Sequence, residues 1–153
     1  MSARLHPHAV LPEAFAPLRA IEAEISSGSL EPSLVELVKI RASQINGCAY
    51  CLHMHTSDAI AAGEAPARLF LLDAWRESAL YTPRERAALG WTEALTRLPE
   101  TGAPDSHYDA LPAHFSEAEI VQLTLLIGTI NTWNRIAVGF RMSHPNDRRR
   151  APA

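Results

Sequence analysis

The sequence predicts an all-α fold: a bundle of six or seven helices with a long apolar C-terminal helix. Three observations carry this. Apolar residues recur at helical spacing, with no sustained alternation that reads as strand. Proline and glycine punctuate the periodic runs where helices start and stop. Two capping boxes, Thr82-Pro83-Arg84-Glu85 and Ser116-Glu117-Ala118-Glu119, mark two helix starts outright.

The first helix is expected over 12–27, with Phe15, Leu18, Ile21 and Ile25 on one stripe and Gly28 as a C-terminal cap. Pro32 suits the first turn of a second helix, whose stripe is Leu34, Leu37, Val38, Arg41 and Ile45. Asn46-Gly47 ends it. A third runs over 48–62, stopped by Gly63, and Pro66 opens a short fourth. The first capping box launches a helix to about Leu98 and the second a helix to about Met142, with a Pro-, Gly- and Asp-rich loop over 99–107 between them. The last helix is apolar on more than one side (Ile120, Leu123, Leu126, Ile130, Ile136 and Phe140 among others). It is therefore expected to be central, or shared with another subunit. Trp75 and Trp91 read as core, Trp133 as a packing anchor, and Asn131, Asn134 and Arg135 as a hydrogen-bonded structural network.

The 153 residues fit one domain over 1–153, with a core over about 20–142 and a tail over 143–153. A net charge of −3 and a pI near 6.1 give no basis for nucleic-acid or membrane-surface partners. The one basic run, Arg148-Arg149-Arg150, reads as a solvated tail. No apolar run has the length of a signal peptide or a membrane span, so a cytoplasmic location is expected. Structural disulfides are rare there, and the two cysteines call for another explanation.

They lie in Asn46-Gly47-Cys48-Ala49-Tyr50-Cys51-Leu52-His53-Met54-His55. Cys48 falls at a helix start, where free N–H groups and the helix dipole stabilise a thiolate. Cys51 is on the same face and within disulfide reach, and His55 continues that stripe. Such a pair supplies a redox couple: one thiolate attacks an oxidant, becomes a sulfenic acid, and the other closes a disulfide. His55 is the local candidate base. Glu36, on the preceding helix in a stripe with Ile40, Ser43 and Gly47, is placed to orient His55 or take up its proton. Asp58, three residues beyond His55, is a second candidate for orienting it. His53 is expected on the opposite side of the helix. His6, His8, His107, His114 and His144 receive no role.

A c-type haem site requires His directly after the second Cys, where Leu52 stands, and a thioredoxin fold requires a strand where 37–45 reads as helix. Zinc has four ligand types within eight residues, but one helix does not converge them on a tetrahedral ion. A metal-binding structural protein and a non-enzymatic redox sensor stay open beside an enzyme. No cofactor is expected.

The run 37–55, continuing through Asp58-Ala59 to Gly63, resembles the core of the alkylhydroperoxidase D family, within the carboxymuconolactone decarboxylase-like superfamily. Asn131-Thr132-Trp133-Asn134-Arg135 resembles the C-terminal part of its peroxidase-related members, and the likeness spans most of the chain. It implies an all-α trimer or a hexamer of paired subunits. It also implies reduction of hydroperoxides by a cysteine pair, recharged by a thiol or dithiol protein. Glu36, Cys48, Cys51 and His55 match the family's acid, two cysteines and histidine. By that match Cys51 is the attacking thiol, Cys48 resolves, and Glu36 and His55 relay the proton. The sequence departs from the best-known type at Tyr50, where that type has a histidine; a tyrosine there retains a hydrogen-bond donor. The superfamily's decarboxylases lack the cysteine pair, so lactone decarboxylation is not implied.

Overall fold

The computed structural model describes residues 2–144. The tail reading of Arg148-Arg149-Arg150 falls outside them. Among the described residues the chain is helical with no strand. In order they form α1 (Pro7–Val10), a 3-10 turn (Pro12–Ala14), α2 (Phe15–Ser26), α3 (Pro32–Asn46) and α4 (Ala49–Ala61). There follow α5 (Pro66–Phe70), a second 3-10 segment (Leu72–Glu77), α6 (Pro83–Thr96), α7 (Leu98–Thr101), α8 (Asp105–Tyr108) and α9 (Glu117–Phe140). The count exceeds the expected six or seven because single turns form within the anticipated loop and the N-terminal segment.

Both capping boxes close as expected. Thr82 Oγ1 accepts from the Glu85 backbone N–H at 3.2 Å, and Glu85 accepts from that of Thr82 at 2.7 Å. Ser116 and Glu119 repeat the exchange at 3.3 and 2.8 Å. The first expected helix is split by Pro17. In a continuous α-helix from Pro12, Pro17 would remove the bond to Glu13 and its ring would meet that carbonyl. With α2 starting at Phe15, Pro17 falls in the first turn, where no intrahelical acceptor is lost. Gly28 follows the C-cap Ser27, as expected, and its N–H donates to the Ile25 carbonyl at 3.2 Å, without a positive φ. It leaves room for Gln122 of α9, whose amide nitrogen would lie 1.7 Å from a Cβ at that position and donates to the Ile25 carbonyl at 2.8 Å.

The centre of the bundle is α3, packed against α4, α6 and α9. From Leu34 to Ser43 every residue of α3 except Glu36 is buried. Of the two expectations for α9, central in the domain or shared with another subunit, full enclosure within the chain is not found. One side of α9 (Leu123, Leu126, Ile127, Ile130) is core, while Val121, Leu125 and Val138 are exposed. The sequence hides the centrality of α3 because α3 carries Lys39 and Arg41. Both are buried, and both are paired. Trp75 and Trp91 are core residues, as expected, and Ile21 is exposed.

The turn between α3 and α4 positions everything that follows. Gly47 adopts φ +64°, a conformation that costs an L-residue about 1–2 kcal/mol. The Gly47 N–H donates to the Gln44 carbonyl at 3.2 Å and the Cys48 N–H to that of Ser43 at 3.0 Å, a Schellman arrangement. Asn46 locks the same turn to α9, donating to Asn131 at 2.9 Å and Asn134 at 2.8 Å. Asn134 donates to Ser43 at 3.0 Å and Asn131 to Thr96 at 3.0 Å, while Arg135 donates to the Asn131 side chain at 3.0 Å. The expected polar network on α9 thus exists within one chain, and it clamps α3 just before Cys48.

Candidate active site

Cys48 is the N-cap of α4 and Cys51 lies in its first turn. Their sulfurs are joined as a disulfide, with Cα atoms 5.4 Å apart, and the Cys51 backbone N–H donates to Cys48 Sγ at 3.3 Å. Both cysteines are buried, at 1% and 2% exposure. They differ in what they face. Cys51 lines a cavity of about 360 Å³, and Cys48 does not. Both cysteines pack with Ala137 of α9, beside Tyr50 and Met142.

Further walls of this cavity are Met54, Ile130 and Trp133. Met142, also on its wall, is brought back by the end of α9. Arg141 takes φ +54°, and the Met142 N–H returns to the Ala137 carbonyl at 2.9 Å. Trp133 does more than anchor packing. It lines the cavity and stacks on Phe15, with centroids 5.9 Å apart. His8, given no role from sequence, reaches the cavity from α1 and packs on Phe15 at 4.0 Å.

His55 is buried, one turn beyond Cys51, and lines the same cavity. Its Nδ1 is 2.9 Å from a carboxylate oxygen of Glu36. No hydrogen bond of its Nε2 is formed among the described residues. Glu36 is the residue of α3's buried stretch left partly exposed, because it turns from the core toward α4. The structure therefore brings together Cys48, Cys51, His55 and Glu36. It does not join Asp58 to His55: Asp58 is exposed, lines a neighbouring cavity of about 310 Å³, and makes no hydrogen bond or ion pair with the imidazole. Tyr50 lines the Cys51 cavity, but its hydroxyl makes no hydrogen bond among the described residues. His53 is half-buried and stacks on His144, centroids 5.0 Å apart.

Lys39 and Glu22, which carry no role in the sequence reading, also belong to this site. Lys39 Nζ is 3.0 Å from Glu22 of α2 and 3.9 Å from Glu36, and both Lys39 and Glu22 line the Cys51 cavity. The spacing of Glu36 and Lys39, three apart on one helix, was the available signal. Among the described residues no group of three or more His, Cys, Asp or Glu side chains is arranged to hold a metal ion. No helix among them is long and apolar enough to cross a membrane.

Residues 11–94 match the carboxymuconolactone decarboxylase family. The chain belongs to this family. Within it, the chain is 41% identical over 138 residues to the uncharacterised protein YdfG of Bacillus subtilis, covering 90% of this chain and 94% of that one. Among solved structures, it is similar to a protein of unknown function from Agrobacterium tumefaciens, suggested to be the antioxidant defence protein AhpD. The TM-score is 0.91 at 49% identity, over 94% of this chain and 99% of the other. The fold is shared more widely. The debrominase Bmp8 superposes with a TM-score of 0.81 at 19% identity (92% and 76% covered), and an AhpD-core peroxidase-related protein of Ralstonia eutropha with 0.79 at 20% (92% and 75% covered). The architecture is thus AhpD-like, as expected from the sequence.

Proposed function

We propose that the protein is a thiol-dependent peroxidase that reduces hydroperoxides through Cys51 and Cys48. The observation that carries this reading is the asymmetry of the pair: Cys51 meets a cavity that His55 shares, with His55 held by Glu36, while Cys48 sits behind it at a helix N-cap. In the reduced protein His55 draws the Cys51 proton, with Glu36 stabilising the imidazolium. The Cys51 thiolate attacks the terminal peroxide oxygen. The O–O bond breaks, an S–O bond forms, and the leaving alkoxide takes the proton from His55 to depart as alcohol. The Cys48 thiol then displaces hydroxide from the Cys51 sulfenic acid. The disulfide closes, and the hydroxide leaves as water with the Cys48 proton. A thiol or dithiol protein restores the pair by attacking Cys51 Sγ from the cavity. Cys48 leaves as a thiolate stabilised by the N–H groups that begin α4, and a second reductant thiol then attacks the reductant's sulfur of the mixed disulfide, freeing Cys51 and leaving the reductant as a disulfide.

The suggested antioxidant role of the Agrobacterium relative supports this reading. We further propose a single-domain cytoplasmic enzyme, where a reductant is at hand, acting as a homo-oligomer (trimer or hexamer) that covers Val121, Leu125 and Val138 of α9. The test is direct. An organic hydroperoxide should convert two free thiols per chain to one intramolecular disulfide, and Cys51→Ser should abolish turnover. Thiols that stay free under peroxide sink the proposal. Stoichiometric oxidation without turnover, with a change in assembly size, would make the protein a redox sensor instead.

A further inference from the structure

The Cys51 cavity contains a buried ammonium that the proposed proton relay does not use. Lys39 is 7% exposed, and a buried charge of this kind persists only where it is paired. Its partners are Glu22, 17 residues earlier on α2, at 3.0 Å, and Glu36, one turn earlier on α3, at 3.9 Å. The second carboxylate oxygen of Glu36 is the one bound to His55. The four side chains therefore form one chain of contacts, Glu22–Lys39–Glu36–His55, ending one helical turn from Cys51.

The geometry points to Lys39, anchored by Glu22, as a positioning residue: its ammonium holds Glu36 turned toward His55, and it biases the cavity toward the Cys51 thiolate. The inference rests on the proposed thiol chemistry of Cys51. Its physics is the sign of one charge. The reduced site sheds its first proton from either Cys51 or the imidazolium. Whichever group loses it, the site becomes less positive, and a nearby cation favours that step. Glu22 works the other way. By neutralising Lys39 it limits that bias, and by fixing the ammonium it keeps Lys39 in reach of Glu36.

The other titratable groups around the cavity are Tyr50 on α4 and His8 on α1. From α9 the cavity receives only Ile130, Trp133 and Ala137. Behind Glu36 and Lys39 the neighbouring cavity adds Asp58 and Glu64, the latter engaged by Arg68 at 3.1 Å. Lys39 is thus the cation that lines both cavities, among the residues described.

The experiment uses the full chain, reduced, with Cys48→Ser so that Cys51 alone is alkylated. The rate with iodoacetamide is followed against pH. Lys39→Met should move the acid limb up by about one pH unit, about a tenfold loss of rate along the limb. Glu22→Gln should move it down, and Lys39→Arg should restore the parental limb. A merely structural role shifts the two charge variants together or not at all, and either result overturns the inference. Should Lys39→Met fail to fold, Lys39→Gln takes its place: an upward shift supports the role and an unmoved limb refutes it. Alkylation needs no hydroperoxide. Opposite shifts in a protein that never turns over peroxide would keep Lys39's role and sink the peroxidase reading. Turnover with an unmoved limb would do the reverse.

Discussion

Two charge clusters, each built on a buried cation, grow from opposite faces of α3, and they are built for different ends. Lys39 and Arg41 are two residues apart, about 200° around the helix. Arg41 donates to Glu93 at 2.8 Å, to Gln44 at 2.9 Å and to Asp73. Glu93 in turn accepts from the Trp75 indole at 2.9 Å and from Arg76. Both carboxylate oxygens of Glu93 are engaged, and the cluster joins α3 to α6 and the 3-10 segment 72–77. On the other face, the chain of pairs through Lys39 and Glu36 stops at His55, whose Nε2 is left without a partner among the described residues. A closed polar cluster stabilises. One left open beside a cavity has a group to offer a reacting molecule.

That contrast can be broken most severely at Cys51. Cys51→Ser should remove all peroxide turnover while leaving the Arg41–Glu93 cluster untouched, so that the unfolding midpoint in urea moves little. On the closed face, Glu93→Gln should cost about 3 kcal/mol, since it strips a charge from Arg41 in a buried site. Urea denaturation of this variant checks it, and Cys51 reactivity should be unchanged in its folded state. Equal losses of activity and stability would erase the distinction.

Glu36→Gln tests the open face more gently. The amide cannot stabilise an imidazolium, so peroxide reduction should fall about a hundredfold with little change in stability. Stopped-flow oxidation kinetics and a melting curve on the same sample separate the two effects.

Acid should also divide the faces. Burial pushes the Glu93 carboxyl up, but hydrogen bonds from Trp75, Arg76 and Arg41 outweigh it and hold the group below its ordinary range. A group so depressed contributes stability that is fully present above its unfolded value, about 4.3, and lost as pH falls through the folded one. The stability of the parent should decline through that window, and the decline should be shallower in Glu93→Gln. Denaturation curves at descending pH give the comparison. The smallest effect is expected at the turn feeding the site: Gly47→Ala should cost about 1 kcal/mol for its φ of +64°, with nothing within 4 Å to clash.

Much of this molecule is legible in its sequence because helix signals act within one turn. Pro32, Gly47, Thr82 and Ser116 mark boundaries through backbone geometry and caps that involve only near neighbours. The same locality placed Cys48 at a helix start, in one stripe with Cys51 and His55. Glu36 was legible for a related reason, since the helix carrying it leads directly into the pair. Asp58 competed with it on spacing alone, and spacing does not tell which carboxylate turns inward.

The cysteine pair at the head of α4, its helical frame and its histidine were thus determined by the sequence alone. Tertiary structure decided the rest. It chose α3 rather than α9 as the enclosed helix, because Lys39 and Arg41 could be buried once Glu22 and Glu93 arrived from distant segments to pair them. It also made the two cysteines unequal, giving Cys51 a cavity walled by α1, α4 and α9 and leaving Cys48 packed. No local rule could have supplied either result, since the first needs Glu22 and Glu93 to meet α3 across 17 and 52 residues and the second brings His8 of α1 against Trp133 of α9.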